Sequence, residues 1–263
     1  MSDSETTNKF SLIDLPDLPK SVDNAIQNLS DLPTKAVGKT FSDIWFLVFG
    51  GISQAASQKR LQYAKELELF EQELSDSISK IPAEKQIDPS IQVTAQALEN
   101  SKYCIEEKEL RQMFATLISN SMNSDFQNDI HPSFAEIIKQ MTPMDANIIT
   151  VFKSSPTTGF PLCQYRLQKD IGHRTLLDNV FLQYPDPDLS KIAVSISSLS
   201  RLGLLYTSYA ELFSDEKRYL PFREHLWFKQ LQQRFPHDDI TLEKGIVTLT
   251  PLGRSFIKVC VPD

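Results

Sequence analysis

Four histidines (His131, His173, His225, His237) and three cysteines (Cys104, Cys163, Cys260) are the side chains best suited to hold a metal or pass a proton near neutral pH. Their spacing supports neither chemistry. No histidine stands in a HExxH or HxH arrangement, and none has a cysteine at ligand distance along the chain. His131 and Glu136 are the one such pair that a helix start would bring close, and His131-Pro132 reads more simply as an N-terminal capping element. Gly50-Gly51 and Gly159 form no phosphate loop of the GxxxxGK[ST] or GxGxxG kind, and no GxSxG elbow occurs. Nothing assembles a nucleophile, a base and an oxyanion donor. No catalytic, cofactor-binding or metal-ligating residue is therefore assigned, no cofactor or small-molecule substrate is inferred, and a non-enzymatic function is expected.

The cysteines are odd in number, far apart and without a CxxC pair, which argues against a disulfide framework and fits a reducing cytoplasm. They read as small buried hydrophobes. The opening residues, MSDSETTNK, are polar and acidic, with no basic region followed by an apolar one, so no secretory signal is expected. Of 263 residues 41% are hydrophobic, enough for a sizeable core, and only 8 are glycine, which suggests a helix-rich chain. The net charge of −7 divides as −3 over residues 1–52, −5 over 53–141 and +1 over 142–263. No region has the positive excess that broad phosphate neutralisation requires, which disfavours nucleic acid as a partner.

Residues 1–40 read as a flexible polar arm. A helical bundle is expected over 41–141. It opens on Phe41–Ile52, FSDIWFLVFGGI, the most apolar window of the chain. Its uncharged stretch of nine residues from Ile44 reaches only about 14 Å as a helix, against roughly 30 Å of bilayer core. Two readings stand: a buried helix closed by Gly50-Gly51, or an interfacial element presenting Trp45, Phe46 and Phe49 to a partner or a membrane surface. Ser57–Ile81 reads as a long charged helix with Tyr63, Leu67, Phe70, Leu74, Ile78 and Ile81 along one seam. Glu66, Glu68, Glu71 and Glu73 are expected on its solvated face. A helix from Ile91 to Tyr103 follows. Leu110, Met113, Phe114, Leu117 and Ile118 then recur at helical spacing, and Phe134, Ile137, Ile138 and Met141 repeat the pattern after Pro132, placed in a first helical turn.

Residues 142–263 change character. Thr142-Pro143-Met144-Asp145 is a helix start with cap, N1 proline and first-turn acid. Phe160–Tyr165 reads as a short strand, and a helix from Asp186-Pro187 to Leu202 ends at Gly203. Leu204–Tyr209 and Ile246–Leu249 read as paired strands across an irregular insertion, and Thr250-Pro251 starts a last helix. Helix, RLGLL, two strands and LTPLGRSF together resemble a winged-helix domain. Its groove-facing side would offer Lys191, Ser195, Ser198 and Arg201, only two of them basic. The insertion adds Lys217, Arg218, Arg223, Lys229 and Arg234, interleaved with acids and aromatics. The fold expected is mainly α with a small β component, an N-terminal helical bundle followed by a winged-helix-like C-terminal domain.

One segment carries a family resemblance. Glu109-Leu110-Arg111, Met113-Phe114-Ala115, Leu117-Ile118 and Ser121-Met122, followed by His131-Pro132-Ser133-Phe134, Ile137-Ile138-Lys139-Gln140 and Asp145-Ala146, resemble the core of the Abi-alpha (abortive infection alpha) family. Trp45–Gly50, Lys59-Arg60, Ile81-Pro82, Ile87-Asp88-Pro89 and Ala97-Leu98-Glu99 with Tyr103 fit the same pattern, so the similarity runs over roughly residues 40–260. The resemblance implies a bacterial, cytosolic, helix-rich protein of phage resistance with no established enzymatic activity, and it supplies no catalytic residue. The expectation is a cytoplasmic antiphage protein, at most peripheral to the inner membrane. It would act through a protein partner or self-association, or at a membrane surface. The alternative is a winged-helix DNA-binding regulator. Trp45, Phe46, Phe49, Lys191 and Arg201 are the candidate contact residues.

Overall fold

A computed structural model describes residues 44, 45, 47–49, 57–155 and 159–263. The chain divides into two compact units, Met1–Leu69 and Phe70–Asp263. In the first, residues 44, 45 and 47–49 are helical. Trp45, Val48 and Phe49 are buried, the two rings lie 4.6 Å apart, and Leu47 is exposed. Phe46 lies outside the described residues, as does the arm of residues 1–40.

Helix α1 (Ser57–Ser79) crosses the boundary. On its second-unit side Phe70, Leu74 and Ile78 are buried, as the seam requires. Two of its acids are not on a solvated face. Glu71 is buried, and Glu73 receives Arg111 in a bidentate pair, Nε at 3.1 Å and Nη2 at 3.3 Å. Arg111 is itself buried and donates through Nη1 to the Ile105 carbonyl. An arginine inside the core needs a fixed carboxylate, which is why Glu73 is held in place.

Helices α2 (Ile91–Ser101), α3 (Lys108–Ser121), α4 (Phe134–Lys139) and α5 (Pro143–Lys153) follow. α3 is their hub, packing on α2, α4, α5 and the last helix, α9 (Pro251–Cys260). Its apolar repeat supplies the contact: Leu110, Met113, Phe114, Leu117 and Ile118 are each at most 2% exposed. Phe134 meets Phe256 of α9 edge to face at 5.4 Å. Each such side chain contributes roughly 1.5–3 kcal/mol by leaving water. α4 begins two residues later than Pro132 suggested. His131 Nδ1 instead pairs with Ser133 Oγ at 2.7 Å and accepts from the Ser133 amide, closing a turn ahead of the helix.

The strands β1 (Gly159–Gln168), β2 (His173–Val180), β3 (Leu205–Ser208) and β4 (Ile240–Leu249) form one antiparallel sheet in the order β2-β1-β4-β3. β1 is longer than its apolar start implied, and β4 reaches back through six more positions, ITLEKG, to pair Leu167 with Ile240. β2 was not expected at all. Asn179 near its end adopts φ +49°, a left-handed turn held by its amide on Tyr209 Oη and its side chain on Ser197. Helix α6 (Leu189–Arg201) links β2 to β3 and packs on both and on α5. It starts on an Asp188 cap, and Gly203 at φ +77° ends it, the left-handed position the sequence requires. Between β3 and β4 lie α7 (Leu220–Glu224) and α8 (Leu226–Arg234). The chain is thus mainly helical with one small antiparallel sheet.

Candidate functional site

α6 is placed by a buried carboxylate. Thr142 and Asp145 form a capping box at the start of α5, with Asp145 Oδ2 accepting from the Thr142 amide at 2.8 Å and the Thr142 hydroxyl accepting from the Asp145 amide at 3.2 Å. The same carboxylate accepts from the Ser195 hydroxyl and, at 3.3 Å, from Ser198. Asp145 and Ser195 are 1% and 2% exposed. Ser195 therefore faces inward, contrary to its assignment to a groove-facing side, and Ser198 spends its proton on the same acid. The helical arc already held the signal, because Ser195 lies three residues after Ile192 and four before Leu199, both buried.

With Leu189, Ile192, Ile196 and Leu199 locked inward, the opposite face presents Lys191, Val194, Ser197 and Arg201. Val194 is 70% exposed. Lys191 makes a loose 3.9 Å pair with Asp188, and Arg201 donates to Gln140 Oε1 at 3.2 Å, tying the end of α6 to the end of α4. The two cations stand toward opposite ends of that face, ten residues apart along the helix. Trp45 and Phe49, by contrast, are buried and belong to the other unit.

The insertion is fastened by two buried phenols. Tyr165 Oη donates to the Phe222 carbonyl at 2.8 Å, and Tyr219 Oη donates to the Gly245 carbonyl at 3.0 Å while accepting from the Phe213 amide. Trp227 Nε1 donates to the Pro187 carbonyl, joining the insertion to the approach of α6. His225 caps α8 by accepting from the Trp227 amide through Nδ1, and burial pulls its pKa below the ordinary 6.5, favouring the neutral ring that can accept. Lys217, Arg223, Lys229 and Arg234 are exposed, whereas Arg218 is half-buried over the Phe213 ring at 3.5 Å.

A cleft of about 760 Å3 opens between the C-terminal part of α1, α3 and α5. Its hydroxyls are committed to their own helices: Ser77 donates to Glu73 O, Thr116 to Gln112 O and Thr150 to Ala146 O. None of the three donates to a side-chain base. All three cysteines are buried, and burial raises each thiol pKa above its ordinary value, so they are poor thiolates. Among the described residues no group of three or more His, Cys, Asp or Glu side chains could hold a metal ion, and no helix is long and apolar enough to cross a membrane.

No curated protein and no solved structure matches the chain. A family model does. The abortive infection alpha model matches residues 62–260, a span that takes in the α3 hub, the Asp145 clamp, the sheet and the whole of α9. The chain belongs to the abortive infection alpha family.

Proposed function

We propose that the chain serves abortive infection in the cytoplasm without catalysis, by docking another protein on the outer face of α6. The observation that carries this reading is Val194, 70% exposed between Lys191 and Arg201 on a helix whose opposite face is fixed by four apolar side chains and the Asp145 clamp. A rigid face loses little freedom on binding, and an apolar centre with a charged rim is how compact protein contacts gain affinity. Phage challenge of cells carrying Val194→Asp tests it. Protection is lost while circular dichroism and thermal midpoint stay at wild-type values; protection at the wild-type level refutes the reading. The pair Trp45→Glu plus Phe49→Glu serves as comparison, because those rings are buried and their loss acts through folding of the first unit.

A winged-helix DNA-binding regulator is the second reading. It is supported by the path of α6 through Gly203 into β3 and by the strand order β1-β4-β3. Ser195 and Ser198 weigh against it, since both hydroxyls are engaged by Asp145 and are not free for base edges. Salt-sensitive association with duplex DNA at low ionic strength would favour it, and no association would dispose of it.

A further inference from the structure

Residues 262 and 263 lie as a strap between two cavities. The larger is the cleft described above, and the smaller holds about 330 Å3; Ser77, Lys80, Lys153, Pro262 and Asp263 border both. Their charges differ. Glu73, Asp76 and Glu109 border only the larger, whereas Lys258 borders only the smaller. Lys80, Lys153 and Lys258 border the smaller cavity with one carboxylate in its lining, that of Asp263, and a second, Asp129, pairs with Lys258.

Among the described residues the side chain that holds the strap is Lys153. Lys153 Nζ donates to Asp263 Oδ1 and to the Val261 carbonyl, both at 2.7 Å. The Asp263 side chain is otherwise in water. Its carboxyl is held below the ordinary range, by Lys153 first and by the field of Lys80 second. Lys258 gives one bond to Asp129, leaving two of its three donors, and Lys80 makes no hydrogen bond or ion pair among the described residues. Two carboxylates, Asp263 and Asp129, leave the three cations one negative charge short. A phosphate, with more charge and more acceptor oxygens, matches them better.

We propose that the smaller cavity binds a phosphate-bearing ligand through Lys80, Lys153 and Lys258, with Asp263 as the resident anion that the ligand displaces. Its volume suits a phosphate with a small substituent. Displacement lifts the strap from Lys153 and joins the two cavities into one groove along α1 and α3.

Calorimetric titration of the full chain with inorganic pyrophosphate at low ionic strength tests this. The wild-type chain binds, and added salt weakens the binding. Asp263→Asn removes the competitor and tightens binding by up to about fivefold, the full strength of an exposed pair. Lys80→Met and Lys258→Met, both at exposed positions, each weaken it severalfold with the fold unchanged by circular dichroism. Competition by inorganic phosphate against AMP then separates a free anion from a phosphate monoester, and either ranking supports the site. Absence of binding to both wild type and Asp263→Asn overturns the proposal, as does binding that the two lysine variants leave unchanged.

Discussion

Replacing Asp145 by alanine removes two functions of one carboxylate. The capping box at the start of α5 loses its acceptor for the Thr142 amide, worth about 1 kcal/mol by analogy with other helix caps. Ser195, 2% exposed, loses the carboxylate it donates to and becomes a buried orphan, at roughly 1–3 kcal/mol. Ser198 is half-buried and can turn to solvent, so it adds little. The expected loss is about 3 kcal/mol, which for a unit of this size lowers the thermal midpoint by roughly 6–12 °C. Ser195→Ala alone costs about 1.5–3 kcal/mol, since a hydrogen bond to a carboxylate is lost. In the double variant the orphaned hydroxyl is gone too, so its loss falls short of the sum of the singles by about 1 kcal/mol or more. Thermal and urea denaturation followed by circular dichroism read all three. A shift below about 2 °C for Asp145→Ala, or strict additivity in the double variant, would show that the carboxylate is not the clamp between α5 and α6.

The remaining predictions concern other joints of the fold. Gly253→Ala puts a methyl 2.1 Å from the Leu204 carbonyl oxygen, where the turn after α6 meets the start of α9, and costs roughly 1–3 kcal/mol in a urea titration. His225 titrates below 6.5 when folded, so the unfolded chain takes the proton first and stability falls as the pH drops below about 6.5. His225→Asn keeps an N-cap acceptor without titrating, and thermal midpoints measured between about pH 7.5 and 5.5 flatten relative to wild type. The three thiols are buried, so a thiol reagent at about pH 8 labels the folded chain slowly and the urea-unfolded chain promptly at all three.

Helix starts and stops were legible because they rest on local chemistry. Thr142-Pro143, Thr250-Pro251 and Gly203 all stand where their backbone preferences put them. The α3 repeat was equally plain. β2 was not, because HRTLLDNV is exposed over its first half and lacks the alternation that marks a half-buried strand. The early part of β4, TLEKG, is polar for a related reason: its pairing with β1 is set by backbone bonds and not by burial. Glu73 was misplaced because its partner, Arg111, lies 38 residues away, a distance over which no local pattern speaks. The candidate contacts fared by the same logic. Lys191 and Arg201 are outward as their charge demands, while Ser195 follows its place in the helical arc and not its polarity.

The edges of the sheet bear on how the chain behaves at high concentration. β3, one edge, is only four residues long, and β2, the other, exposes His173, Arg174 and Asp178 and turns left-handed at Asn179. Short, charged or twisted edges resist the strand-by-strand addition that leads to fibres. Overproduced chain should therefore stay clear of amyloid-like growth, and any assembly it forms would be built from helical faces.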